Sequence, residues 1–382
     1  MKEYLSHRLS YLNPRERRKV SHYSVIIFCC FLALSALGLM TLYSANEFYF
    51  WGQMKHFALG SLVVVVLGFL IPFRLVQSLS APVHAVLFLC LCFVLLFGYT
   101  AGGAQRWLVM GGFGRFQPSE FIKISTVLYF SSFFYNQNLK SEYSLFEVWQ
   151  VLLNGFLIFT LIFLQPDFGT AGLCLGITFF QLFFIKLRIS SFSFRLMGVL
   201  LILTPFIGWF FLLKTYQKLR ILTLLNPMKD PTGAGYNSLQ SLVAIGSGGF
   251  FGKGLMEGSQ TQLHFLPARH TDFIFSVFSE EFGFIGCLVV LSLFLILFLT
   301  GLSIARDSSD LFKKLTACGL VGFLFLEFFI NIAMVIGIFP VVGMALPFFS
   351  SGGSSVLTVC IAVSLLISID RSNRKALKDV LM

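Results

Sequence analysis

The chain has 382 residues, of which 57% are hydrophobic and only 12% charged, with a formal net charge of +11 and a mean hydropathy of +0.84. A soluble globule of this length cannot hide that much apolar surface, so soluble enzymes, disordered chains and collagen-like fibres are excluded. The basic excess does not call for a nucleic-acid partner, because the cytoplasmic loops of membrane proteins retain Lys and Arg.

A helix needs about 20 apolar residues to cross a bilayer. In chain order, the hydropathy pattern predicts spans over roughly 24–45, 53–72, 82–100, 118–135, 146–164, 169–186, 190–213, 272–301, 312–337 and 354–370. The first is too long for the core of a signal peptide, which runs about 7–15 residues, and reads as a retained span. The fold class is therefore an all-α polytopic membrane protein of about ten transmembrane helices. Residues 1–382 form one integral membrane domain, 1–23 a basic cytoplasmic segment, and 214–271 a large extracytoplasmic loop between helices 7 and 8.

Orientation follows from the cations. With the N-terminus inside, the inner segments gather eighteen Lys and Arg, while the short outer loops hold only Arg106 and Arg115. That asymmetry places both termini in the cytoplasm. The eight cysteines all lie in apolar runs without metal-ligand spacing and read as packing residues, giving neither disulfides nor a metal site.

The 214–271 loop is too long for a connector. It carries eight glycines from Gly233 to Gly258, together with Lys218, Arg220, Lys253, His264, Arg269 and His270. A flexible or re-entrant loop and a functional one are both compatible with that composition. Within it, Gly246–Gly254 resembles a phosphate loop but fails the spacing. Ser247 stands where a glycine is needed, and Gly254 where Ser or Thr follows the lysine. Its amides and Lys253 remain able to hold an anion.

Three other polar junctions fall on the same outer face: 102–107 leading into Gln117–Glu120, then 165–169, then 347–355. Their convergence points to one external site. Pro118 suits the first turn of a helix, and Glu120 and Lys123 then share one helix face. That pair is either an interfacial ion pair or the lining of a polar cavity. Asp272 either caps the eighth helix or acts chemically. The run 272–301 would be about 45 Å long as a helix, against about 30 Å of hydrocarbon. Its first turns should stand at the interface, where a carboxylate can serve as a general base on a lipid-linked substrate. Of Glu280 and Glu281, one is expected to face a cavity and the other a basic partner. Glu327, deep in a span, is expected to be paired or interior-facing.

Several motifs together resemble the SEDS family (shape, elongation, division and sporulation proteins): Gly-Ala-Gln-Arg-Trp at 103–107, Gln-Pro-Ser-Glu-Phe-Ile-Lys at 117–123, Gln-Pro-Asp-Phe-Gly-Thr-Ala at 165–171, Gly-Ala-Gly-Tyr-Asn-Ser-Leu-Gln-Ser at 233–241, 244–254 and Ser-Ser-Gly-Gly-Ser-Ser at 350–355. The run 258–275 is more similar to the RodA branch than to the FtsW branch. Ala268 and Ser351 depart from the family's usual Glu and Tyr.

The resemblance implies a ten-helix peptidoglycan glycosyltransferase of the bacterial inner membrane, active on the extracytoplasmic face. It would polymerise lipid II, the undecaprenyl diphosphate-linked disaccharide pentapeptide, beside a class B penicillin-binding protein transpeptidase. Asp272 matches the family's essential aspartate, Trp107 its tryptophan, and Glu120 and Lys123 its charged positions. With Arg106, Asp167, Lys218, Arg220, Lys253 and Arg269 they form the expected substrate-binding set. No tightly held metal or other cofactor is required, and a loosely held divalent cation is compatible. A lipid II flippase and a non-catalytic scaffold are the alternatives. Against the flippase stands the clustering of motifs at the outer face, since alternating-access sites lie near the midplane.

Overall fold

The computed structural model describes residues 23–101, 104–109, 115–137, 142–188, 215–225, 234–263, 265–266 and 268–381. Its first half holds helices α1 (Tyr23–Ala45), α2 (Glu47–Val65, continuing as a π-turn over Val66–Leu70), α3 (Phe73–Phe97), α4 (Pro118–Asn136), α5 (Leu145–Leu164) and α6 (Phe168–Leu182). Its second half holds α7 (Thr215–Leu225), α8 (Ala234–Ser247), α9 (Ser259–Gln262), α10 (Ile274–Asp307), α11 (Leu311–Val335) and α12 (Gly353–Leu381). Among the described residues seven helices are long and apolar enough to cross a membrane: α1, α2 with its π-turn, α3, α5, α10, α11 and α12. The shorter apolar α6 and the more polar α4 match two further expected spans. The expected span 190–213 and the basic segment up to residue 22 lie outside the described residues.

Helix ends differ from the hydropathy reading for identifiable reasons. The second helix begins at Glu47, because Asn46 accepts the Phe48 N–H at 3.0 Å and caps it. The third begins nine residues before Pro82 and runs through it. A proline costs a helix one N–H donor, and the hydroxyls of Ser78 and Ser80 bond nearby carbonyls in that turn. The last helix continues past its apolar run, held by Arg374–Asp370 at 2.9 Å one turn apart. Hydropathy marks where lipid ends, whereas the backbone ladder of a helix can continue into water.

The all-helical expectation also misses two small sheets. Strands β1 (Tyr99–Ala101), β2 (Ala104–Val109) and β3 (Arg115–Phe116) form an antiparallel sheet, and β4 (Tyr143–Ser144) pairs in parallel with β5 (Leu187–Arg188). Residues 214–271, read as a loop, carry α7, α8 and α9.

The bundle is built around α11 and α12, whose apolar stretches are mostly buried, while α2, α3, α5 and α10 bury less than a third of theirs within the chain. α11 packs on α4, α6 and α10, and α12 packs on α1 and α2. All eight cysteines are free thiols, and Cys360 fills the space above Gly60 between α12 and α2.

Candidate active site

The junctions flanking the site lie at one end of the bundle and touch one another. On β2, the Arg106 guanidinium donates to the Gln165 carbonyl at 3.3 Å and to the Pro166 carbonyl, and it pairs with Asp167 at 3.5 Å. Asp167 also caps α6, accepting the Thr170 N–H at 3.3 Å. One arginine thus pins the Gln-Pro-Asp turn to the hairpin. Successive strand residues point to opposite faces, so half-buried Trp107 projects away from the Asp167 side and stands opposite Tyr99 in the register.

Asp272 does not cap α10. That helix starts at Ile274, with Phe273 in the capping position and no side-chain cap. Asp272 instead sits in a turn that Ala268 closes, its carbonyl accepting the Thr271 and Phe273 N–H groups. The side chain is half-buried. Withdrawal from water is the largest influence on its carboxyl and pushes the pKa up to about 6. The Thr271 hydroxyl and the charges of Arg220 and Arg106 oppose that rise, while Asp167 adds to it. Four of the expected residues, Arg106, Asp167, Arg220 and Asp272, therefore share one electrostatic neighbourhood. Arg220 reaches it from α7, donating to the Val341 carbonyl at 3.0 Å. Gly343, at φ +76°, faces Asp272, and a β-carbon there would lie 3.6 Å from Oδ2. His270 stacks on Tyr49 with ring centroids 4.0 Å apart. Burial, and then the charge of Arg269, lower its pKa.

Glu120 and Lys123 belong to a second charged group, joined to Glu327. The fully buried Lys123 ammonium meets Glu120 at 2.8 Å and is bonded as well to Glu327 of α11. Glu327 is thereby paired, as its depth in a span required, and Lys123 is the partner its sequence context did not reveal. Two carboxylates hold that one ammonium, while Arg220 and Arg106 are the cations that act most on Asp272.

Lys253 is likewise engaged. Its ammonium donates to Glu280 at 2.7 Å and to the Ser259 hydroxyl at 2.9 Å. Glu280, wholly buried, also accepts the N–H groups of Gln260 and Thr261 at 3.0 and 3.3 Å. Glu281, equally buried, accepts from the Ser44 hydroxyl and the Met256 N–H. Both adjacent carboxylates thus fold the glycine segment onto α10. Backbone pairing completes the joint: Lys253 N–H to the Glu280 carbonyl and Phe284 N–H to the Gly249 carbonyl, each at 3.0 Å.

The two chains approach so closely that Gly252, at φ +83°, has the Glu281 carbonyl 2.1 Å from where a β-carbon would sit. Gly252→Ala is therefore expected to destabilise the protein by at least roughly 1–3 kcal/mol, read as a lower thermal unfolding midpoint in detergent. Arg269 donates to the Thr261 carbonyl within the same folded segment, and Lys218 lies two residues from Arg220 on α7.

Asn331, Ser350 and Gln53 reach the same end of the bundle, although sequence reasoning assigned them no role. A lone asparagine inside an apolar span was the available signal for Asn331. Among the described residues no group of three or more His, Cys, Asp or Glu is placed to hold a metal ion.

Fold and site together define a multi-pass helical membrane protein with a charged, carboxylate-centred site at one end of its bundle. The model of the cell cycle protein family that comprises FtsW, RodA and SpoVE matches residues 20–375, and the chain belongs to that family. It is 38% identical over 359 residues to the peptidoglycan glycosyltransferase MrdB of Escherichia coli K12, covering 93% of this chain and 95% of that protein. Among solved structures, it is similar to a chain from a peptidoglycan synthase complex that coordinates polymerization and crosslinking (TM-score 0.76, 28% identity, 91% of this chain and 97% of that one). It is also similar to Thermus thermophilus RodA, a rod shape determining protein (TM-score 0.67, 26% identity, 91% and 96% covered).

Proposed function

We propose that this chain is a peptidoglycan glycosyltransferase that polymerises lipid II during cell-wall elongation, with Asp272 as the general base. The observation that carries the reading is a half-buried carboxylate just before α10, its pKa pushed up to about 6 by burial, within the field of Arg220 and Arg106 and facing Gly343. It joins a family whose curated members include named peptidoglycan glycosyltransferases.

In the proposed reaction Asp272 takes the proton of the acceptor sugar's 4-hydroxyl as that oxygen attacks the donor's anomeric carbon. The bond to the undecaprenyl diphosphate breaks, and the leaving group departs with the bonding electrons. One displacement inverts the anomeric centre, converting an α-linked donor into a β-linked product. Arg106 and Arg220 stand where charge grows on the diphosphate. Trp107 offers a ring face for a sugar or the isoprenoid. Asp167 holds Arg106. Glu120 and Lys123 tie α4 to α11, Lys253 and Arg269 hold the segment before α10 in place, and Lys218 adds a positive charge near Arg220 on α7 for the diphosphate.

The same reading places the chain in the bacterial inner membrane, with ten spans, both termini inside, 1–382 as one membrane domain and 214–271 on the extracytoplasmic face. Single cysteines introduced at positions 140 and 237, in a background lacking the native ones, are expected to react from opposite sides of the membrane. Labelling of both from outside would overturn this topology. A class B penicillin-binding protein is the proposed partner. The deciding experiment supplies the purified chain with labelled lipid II, with and without that partner. Glycan strands are the expected product; lipid movement without strands would instead mark a flippase.

A further inference from the structure

The three residues that lead up to α10 have an unusual set of partners. The carbonyl of His270 accepts the Ser351 N–H at 3.0 Å. The carbonyl of Thr271 accepts the Ser350 hydroxyl at 2.7 Å. The carbonyl of Asp272 accepts Nδ2 of Asn331 at 3.0 Å. Three successive carbonyls are thus tied to residues at least 59 positions away in sequence, and none to the helix that follows.

The donors are themselves fixed. Asn331 is wholly buried on α11, and its Nδ2 also donates to the Met344 carbonyl at 2.6 Å. Both contacts are carbonyl oxygens, which sets the amide's orientation and uses both of its hydrogens. Ser350 is buried, and its hydroxyl oxygen accepts the Leu346 N–H at 2.7 Å. The buried Gln53 side chain on α2 brackets the serine–glycine turn, donating to the Ser350 carbonyl at 2.9 Å and accepting the Gly352 N–H at 3.1 Å. The clamp therefore joins α2, α11 and the turn before α12 onto one short strand of backbone.

We propose that Asn331 and Ser350 are positioning residues that aim the Asp272 carboxylate by clamping the Asp272 and Thr271 carbonyls, with Gln53 holding the clamp closed. The inference rests on the reading of Asp272 as the general base. Asp272 lies in no regular element, and the backbone hydrogen bonds that close its own turn run to the Ala268 carbonyl. Without the clamp the carboxylate is free to swing by an ångström or more, and a misplacement of about 1 Å costs on the order of 100-fold in rate. A loosened turn also admits water to the carboxyl. Arg106, Asp167 and Arg220 supply the charges around Asp272, and His270 stacks beside it on Tyr49. With those charges unchanged, better hydration lowers the carboxyl's pKa.

The test measures kcat and KM for labelled lipid II across a pH series, using the full-length chain and the variants Asn331→Leu, Ser350→Ala and Ser350→Thr. The first two are expected to lose roughly tenfold or more in kcat, with KM within about threefold, and their acidic rate limb should move to lower pH. Ser350→Thr keeps a hydroxyl and should retain most of the turnover. Thermal unfolding and size-exclusion profiles report the folded fraction. A purely structural role would reduce that fraction while leaving kcat per folded molecule and the acidic limb unchanged, and that result would overturn the proposal. Asp272→Asn, assayed in parallel, separates the two ideas. If it polymerises normally, the base assignment falls and the clamp's role with it. If it is inactive while both clamp variants behave as wild type, only the clamp is refuted.

Discussion

Asp272→Asn is expected to cut lipid II polymerisation by at least about 100-fold while leaving lipid II binding within a few-fold. Positioned general bases contribute about 10²–10⁴-fold in rate, and asparagine keeps the size of the side chain but cannot take up the proton. The wild-type pH profile should show the same group. A base works only when deprotonated, and burial pushes this carboxyl up to about 6, so the rate should fall as pH drops through that value.

Stability should respond in the opposite sense. The folded-state pKa lies above the unfolded value of about 3.9, so the fold favours the protonated carboxyl, and the charged form weakens it increasingly as pH rises from 4 through 6. Asp272→Asn should therefore unfold a few degrees higher than wild type at neutral pH, with the gain shrinking towards pH 4. A folded Asn variant that polymerises at near-normal rate would remove Asp272 from the mechanism and turn attention to Glu120 and Asp167.

The second large effect is expected at the buried layer of α4 and α11. Lys123→Met leaves Glu327 buried with no cation, alongside the half-buried Glu120. Removing one partner of a buried ion pair typically costs about 3–5 kcal/mol, because the survivor is stranded away from water. Combining Lys123→Met with Glu327→Leu removes the stranded charge together with its partner and should recover most of that loss. Thermal unfolding of the two single variants and the double variant measures the coupling directly. A Lys123→Met protein as stable as wild type would mean that Glu327 finds another partner or takes a proton. If the double variant folds and still polymerises, Lys123 serves the bundle rather than the substrate.

Much of this molecule could be read from its residues in order. Composition and apolar run length dictated a helical membrane bundle, because a bilayer demands long apolar helices and penalises charge within them. The run lengths also located nine of the helices, five of them with both ends within four residues, such as 118–135 for Pro118–Asn136 and 146–164 for Leu145–Leu164, while one end of α2, α3, α10 and α12 fell six to eleven residues away. Turn-rich polar motifs on alternate junctions singled out one end of the bundle, and the junctions do touch one another there. Of the ten residues expected at the site, Arg106, Asp167, Arg220 and Asp272 share one electrostatic neighbourhood.

What the sequence could not determine was pairing across the chain. The bond from Lys123 to Glu327, the capture of Lys253 by Glu280, and the clamp from Asn331 and Ser350 onto Thr271 and Asp272 all join residues far apart in sequence. Local pattern is silent about such contacts, because they depend on how helices pack rather than on what each helix contains. The same holds for the close approach of Gly252 to the backbone of α10, which exists only once the 248–262 segment has folded down upon it. Local chemistry fixed which groups had to be satisfied in a low-dielectric interior, and tertiary packing chose their partners.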